Sequence, residues 1–355
     1  RLNNGASGDL TIAALALGGL VVVGLLVWRN VIDEGVVCGV LLLLGAALVL
    51  MTSLRGWYIT GHDIQQEFRA LGLTSGNGHW DVSLFREPYN ACLSITILPT
   101  LIGRIAHLHD PYVLKVVIPL LFAVCPVLVY RIARRFLAVA PAVLSAVWFM
   151  AFPTFFTDMA FLARQEIAFI FLGAAFMVVT DRSQSLVQRR VWLTVMAVGV
   201  VFSHYSTTYV LIGVMGIAWA LSHAGPLIDR IRPARRRLLR IAREPLVITW
   251  PILVGLAVLV VLWTGPATGT SGQLEKTVAS SASGIFTGDL LGNRSDDVSY
   301  SLVAGGTLTP AERLAAYRAD ALEETAARRA DGTYFPRDVI DRYATAPYEP
   351  PDLPL

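Results

Sequence analysis

The sequence predicts an all-α polytopic membrane protein of about eight transmembrane helices, with a long extracytoplasmic loop bearing interfacial helices. Three observations predict it. Of 355 residues, 55% are hydrophobic and only 15% charged, with a mean hydropathy of +0.58; soluble domains carry about 25% charged residues. Eight apolar runs approach the roughly 20 residues that a spanning helix needs. Finally, ionisable residues avoid the central turns of those runs. Asp63, Glu67, Asp81, Arg86, Glu87, Arg164, Glu166 and His204 fall instead in loops or at span ends.

The first run, Leu10–Trp28, precedes a short connector at 29–35. Val36–Ser53 follows, and the small residues Gly18, Gly19, Gly24 and Gly45 suit close helix packing in lipid. Segment 54–111 is too long for a simple connector. It holds a turn signal, Asn77-Gly78. It also holds an apolar amphipathic stretch, Ala91–Leu108, broken by Pro99 and carrying Arg104, which is expected to lie along the membrane interface. Further spans are expected at Tyr112–Tyr130, Leu137–Phe155, Phe161–Thr180, Leu186–Ser203, Ser206–Ile228 and Leu246–Trp263. Gly173, Ala174 and Ala175 are small residues of the same packing type.

Charge sets the topology. Arginine-rich short loops stay cytoplasmic. Two such clusters are Arg131, Arg134, Arg135 and Arg182, Arg189, Arg190. A third comprises Arg230, Arg232, Arg235, Arg236, Arg237, Arg240 and Arg243. All three fall on one side only if residues 186–228 form two helices rather than one, so Ser203-His204-Tyr205-Ser206 becomes a tight outward-facing hairpin. Segment 54–111, the turn 156–160 and the tail from Thr264 are then extracytoplasmic. The N-terminus would be outside too unless further spans precede Arg1. The chain opens Arg-Leu-Asn rather than with Met, which suits a segment of a longer protein.

The net charge of +3 divides into +8 over residues 1–264 (21 basic, 13 acidic) and −5 over 265–355 (8 basic, 13 acidic). The basic excess belongs to the membrane part and reads as orientation signal, not nucleic-acid binding. Arg outnumbers Lys 27 to 2 and Ala is abundant, pointing to a GC-rich prokaryotic genome. Cys38, Cys92 and Cys125 have no CxxC spacing and form no disulfide or zinc framework. The organisation expected is an additional N-terminal helix at 1–35, a membrane module at 36–263 and an extracytoplasmic tail at 264–355. In the tail, Gly265–Ser283 reads as a connector. Thr309-Pro310-Ala311-Glu312 is a capping box opening a polar helix, and Asn293-Arg294-Ser295 matches a glycosylation acceptor pattern.

Asp63 and Glu67, four apart, share one helix face. A carboxylate at a dry membrane surface can act as general base toward a sugar hydroxyl, though Thr60-x-x-Asp63 also reads as a capping box. Trp80 and Tyr89 can stack on a sugar ring while Asp81, Glu87 and Asn90 bond its hydroxyls; both aromatics also suit plain interfacial anchoring. Arg164-Gln165-Glu166 opens the fifth span. Arg164 offers a planar fork for phosphate oxygens, or the pair simply anchors its helix. His204-Tyr205 tips the hairpin, where the histidine either donates to a leaving phosphate or is passive. His62, Asp63, Glu67, His79 and Asp81 include metal-ligating types, without HExxH or comparable spacing.

Four segments, within residues 36–263, resemble the GT-C superfamily of membrane glycosyltransferases, and a prokaryotic membrane-protein family within it. They are Gly61-His62-Asp63-Ile64-Gln65-Gln66-Glu67, Tyr89-Asn90-Ala-Cys-Leu-Ser94-Ile-Thr96-Ile-Leu-Pro99, Arg164-Gln165-Glu166 and Ser203-His204-Tyr205-Ser206. The resemblance implies transfer of a sugar, with inversion, from a polyprenyl-phosphate donor to a glycan or glycolipid acceptor at the outer face of a bacterial or archaeal plasma membrane. It implies Asp63 as base, and Glu67 or Asp81 orienting the acceptor or holding a divalent cation (Mg or Mn) if one is used. Arg164 and His204, with Arg86, would neutralise the departing phosphate. One departure is that the acidic loop follows the second span here, not the first. A transporter is disfavoured because midplane positions are apolar. A non-catalytic scaffold or lipid-linked-sugar binding protein remains the alternative. The enzyme reading requires Asp63 to lie within about 20 Å, two helix diameters, of Arg164 or His204.

Overall fold

The computed structural model describes residues 9–56, 58–61, 63–231 and 247–270, and residue 319. The described bundle belongs to one compact unit, Arg1–Ser283, and beyond Gly284 only Ala319 is described. The described residues form helices and their connecting turns, without strands. The arginines of 232–243, the capping box at Thr309 and the Asn293 pattern lie outside them.

Helix α1 (Asp9–Val27) leads to α2 (Glu34–Ser53), which starts where Asp33 Oδ1 accepts from the Gly35 amide at 2.7 Å, an N-cap. Outside the bundle's spans come α3 (Asp63–Asn77) and α4 (Ile97–Ala106). Next, α5 (Asp110–Tyr112), α6 (Ile118–Phe122) and α7 (Cys125–Arg134) run end to end, joined by a π-turn at Val113–Val117, as one span, Asp110–Arg134. Then α8 (Val139–Ala151) meets α9 (Pro153–Thr157), followed by α10 (Ala163–Thr180), α11 (Leu186–Ser203), α12 (Tyr205–Ile231) and α13 (Trp250–Leu262), which runs on through a π-turn to Ala267.

Each of the eight expected runs is helical, but they are not eight equal spans. Six helices are long and apolar enough to cross a membrane, and a seventh arises if α8 and the Pro153–Phe161 segment count together. That pair bends by 61°, because a proline cannot continue the preceding helix and disfavours helical geometry at Phe152. The apolar part of α1, Thr11–Val27, spans only about 26 Å at 1.5 Å per residue, short of the roughly 30 Å hydrocarbon core. The 186–228 region is two helices. Only His204, extended at φ −156° and ψ 119°, separates α11 from α12.

Small residues set the closest approaches. A Cβ on Gly45 would stand 3.2 Å from Pro126, one on Gly173 2.9 Å from Leu128, and one on Gly199 2.6 Å from Phe171. Thus α2 meets α7, α10 meets α7, and α11 meets α10 nearly backbone to side chain. Two apolar clusters follow from these contacts. One gathers Val37, Leu41, Phe122, Tyr130 and Ala146 around α2 and α6–α8; the other gathers Ala175, Leu193, Ala197, Val200 and Leu256 around α10–α13.

The bundle has two chemically different ends. At one, Glu34 pairs with Arg131 (3.6 Å) and Arg134 (3.7 Å), and Asp181 with Arg135 (3.3 Å); Arg182, Arg189 and Arg190 follow in sequence. Helices α2, α11 and α13 run away from that end, and α10 and α12 begin at the other. There, α3 and α4 cover the bundle.

Candidate functional site

The approach to the site is fixed by a residue that sequence reading passed over. Lys115, within the apolar run of the third span, is buried and its ammonium donates to the carbonyls of Gly56 and Tyr58 (2.8 Å to the latter). Ser53 Oγ in turn donates to the Lys115 carbonyl. The available signal was its type, since an ionisable side chain inside a span defaults to a specific role. Gly61 then turns the chain at φ +128°, a value that L side chains rarely adopt, and a Cβ there would meet the Phe161 ring at 3.0 Å. Glycine is therefore required where α3 is set against the 159–161 turn.

Helix α3 buries Ile64, Glu67, Ala70, Leu71 and Thr74, the 3–4 spacing of one face. Glu67 is fully buried. Its Oε2 accepts from the Ala163 amide (2.9 Å), and its Oε1 accepts from the Arg164 amide (3.3 Å) and lies 3.3 Å from Arg164 Nε. A carboxylate from α3 thus satisfies the orphan amides at the start of α10, where the helix dipole favours negative charge. Burial raises Glu67 to about 7, against the lowering effect of Arg164 and the two amides. In this placement Glu67 fastens the start of α10.

Arg164 is the centre of the site. Its Nη2 pairs with Asp63 Oδ2. Its guanidinium lies 3.9 Å over the Tyr89 ring and 5.3 Å from that of Tyr205, contacts that attract a cation. The Arg164 side chain is 4% exposed, whereas that of Asp63 is 34% exposed. Arg164 Nη1 is buried with no hydrogen-bond partner, an uncommon condition for a buried donor. Burial pushes the Tyr89 hydroxyl up to about 12, and the charge of the Asp63 carboxylate acts in the same direction.

His204 is buried, with Nδ1 2.7 Å from Thr207 Oγ1 and its ring 5.2 Å from that of Tyr205. Burial, and then the charge of Arg164, lower it to about 3. The imidazole is therefore neutral at physiological pH. In that form it can donate or accept one hydrogen bond. Glu166, in the first turn of α10, is buried with Oε1 unpartnered. Gln165 beside it is half-buried.

The 79–96 loop is largely engaged with itself and the bundle. Trp80 stacks on Trp263 (5.8 Å, 14°) and its Nε1 donates to Asn90 O (2.8 Å). Asn90 is buried and its Nδ2 donates to Asp81 O (3.0 Å). Through these contacts Trp80 and Asn90 hold the loop. Asp81 accepts from Ser83 (2.8 Å), which lowers its carboxyl from the usual value. Arg86, Glu87 and His79 are exposed. The stretch expected along the interface divides: Ile97–Ala106 is helical, but residues 90–92 and 94–96 are buried. Leu93 N donates to Phe202 O (2.8 Å) and Ser94 Oγ to Ser203 O (3.1 Å), so this part docks on the end of α11. Among the described residues no three His, Cys, Asp or Glu side chains are grouped to hold a metal ion; His62 lies outside them. Asp63 and Glu67, the two carboxylates at the site, are both paired with Arg164.

The site therefore brings together Asp63, Glu67, Tyr89, Arg164, His204 and Tyr205 from α3, the loop, α10 and the α11–α12 link. Comparison of the chain with protein-family models, with curated proteins and with solved structures finds no match.

Proposed function

We propose that the protein is an inverting glycosyltransferase that moves a sugar from a polyprenyl-phosphate carrier to a hydroxyl of an extracytoplasmic cell-envelope glycan or glycolipid. One observation carries the reading. A half-open carboxylate, Asp63, sits against a buried guanidinium that retains an unpartnered N–H edge. That edge suits a phosphate oxygen, and the carboxylate suits a hydroxyl proton.

In the proposed reaction the acceptor oxygen attacks the anomeric carbon from the face opposite the phosphate. The new C–O bond forms as the bond to the phosphate oxygen breaks. Asp63 takes the hydroxyl proton, and the leaving phosphate keeps the electron pair, stabilised by Arg164 Nη1. Fixed charge aimed where charge develops is usually the largest catalytic contribution. His204, neutral, adds at most one N–H. Glu67, by fixing the Arg164 backbone and Nε, positions the guanidinium. The arginine-rich end of the bundle supports a cytoplasmic assignment for that end, and so an extracytoplasmic one for the site.

The test is incubation of purified protein with a panel of polyprenyl-phosphate sugars and envelope acceptors, following release of polyprenyl phosphate. Asp63→Asn should abolish release while the donor still binds. Binding with no release from any donor would leave a lipid-linked-sugar binding protein as the reading.

A further inference from the structure

The outward flank of α3 carries a row of polar residues that the proposed reaction uses only at its start. Asp63, Gln66 and Arg69 stand three apart, so they follow one ridge around the helix. The ridge leaves the buried face as it goes: the Asp63 side chain is 34% exposed, while Gln66 and Arg69 are fully in the exposed class. From Asp63 to Arg69 it climbs about 9 Å along the axis.

The 85–89 segment meets this ridge at both ends. At the first, Arg164, which pairs with Asp63, lies 3.9 Å over the Tyr89 ring. At the second, Arg69 lies 4.5 Å over the Phe85 ring. Helix and loop are thus bracketed together twice. Between the brackets Gln66 is exposed on the helix, and Arg86 and Glu87 are exposed on the loop.

The two bracketing arginines are satisfied differently. Arg164 is buried and meets two carboxylates. Arg69 is exposed, and among the described residues neither it nor Arg86 forms an ion pair. A ring against the face of a guanidinium leaves its N–H edge open. It also holds that edge in place before a ligand arrives, which lowers the cost of ordering the side chain on binding. A planar edge so held matches a carboxylate through two parallel N–H···O bonds.

We infer that the acceptor is an acidic glycan, and that Arg69, held by Phe85, recognises a carboxylate on it. The inference rests on the transfer reading given above, which puts the reacting hydroxyl at Asp63. Because Arg69 stands at the far end of the ridge, the acid belongs to a sugar farther along the glycan than the one that receives the transfer. Gln66 lies beside the part between. Arg69 is therefore a specificity-determining residue and takes no part in the chemical step.

The experiment measures glycan binding to the purified full chain in detergent by saturation-transfer NMR. Its probes are trigalacturonate and the same trisaccharide with its carboxyls reduced to hydroxymethyl groups. Trigalacturonate should bind about tenfold more tightly, and the preference should shrink as salt rises from about 0.05 to about 0.5 M. Arg69→Gln should erase the preference by weakening the acidic probe alone. Arg104→Gln, the same change at an exposed arginine of α4, should leave it intact. Equal binding of both probes by the parent, equal weakening of both by Arg69→Gln, or erasure by Arg104→Gln overturns the inference; equal weakening is what a mere loop fastener would give. Should Arg69→Gln not fold, the parent's salt dependence decides, and a preference unmoved by salt overturns it. An acid preference lost in Arg69→Gln, with no polyprenyl phosphate released from any donor, refutes the transfer reading alone. Transfer at equal rates to both trisaccharides refutes the acidic acceptor alone.

Discussion

Asp63 and Glu67 differ in consequence because they differ in exposure. Asp63 faces solvent in part, so Asp63→Asn should leave the thermal midpoint near the parent value while cutting transfer by about 10²- to 10⁴-fold, the usual contribution of a general base. Glu67 is fully buried and accepts two helix-end amides. Glu67→Gln keeps one acceptor oxygen and should cost about 1–3 kcal/mol, read from thermal unfolding in detergent. The pH dependence has a definite sign. The folded protein holds the Glu67 proton up to about 7, the unfolded chain only to about 4.5. This group's contribution is full below about 4.5 and is lost as pH rises toward 7; Glu67→Gln should flatten stability across that window. His204, lowered to about 3, should contribute no limb near pH 6.5 to a transfer profile, and His204→Gln should leave the profile's shape unchanged. Asp63, Arg164, His204 and Tyr205 were each legible as candidates from the sequence. The sequence did not separate base from fastener, because a four-residue spacing gives a shared helix face but not which end of that face is covered.

At the scale of elements, the helices were legible where hydropathy alone decides them. The α11–α12 division followed from the side preference of arginines, and the structure has it at His204. The bend at Pro153 and the docking of 90–96 on α11 were not legible, since both depend on what a segment meets after leaving its own helix. Close packing was half-legible: Gly45 and Gly173 stood out as small residues, but Gly199 did not. Because a Cβ there would stand 2.6 Å from Phe171, Gly199→Leu should destabilise the α10–α11 pair by about 1–3 kcal/mol. Loss of the thermal midpoint with the site otherwise unaltered is the expected readout. Gly61→Ala acts differently. Strain at φ +128° and the Phe161 ring together should shift the start of α3, so hydrogen exchange should rise at residues 63–67 before global stability falls.

For the whole molecule, the segregation of arginines from the Asp63–Arg164 site makes orientation testable. In a cysteine-free background, Glu87→Cys should be labelled by a membrane-impermeant maleimide in intact cells. Arg131→Cys, from the opposite end, should be labelled only after lysis. The reverse pattern would put the site in the cytoplasm and end the extracytoplasmic reading.

A single residue, His204, stands between two long helices, so the azimuth of α12 is inherited directly from α11. Adding one alanine beside His204 would advance α12 by about 100° around its axis. Tyr205 would swing off Arg164, and Thr208 would lose its hydrogen bond to the Val200 carbonyl in the same stroke. The ring beside the guanidinium and the seam between the two helices are geared to one shaft, and neither can be retuned without moving the other.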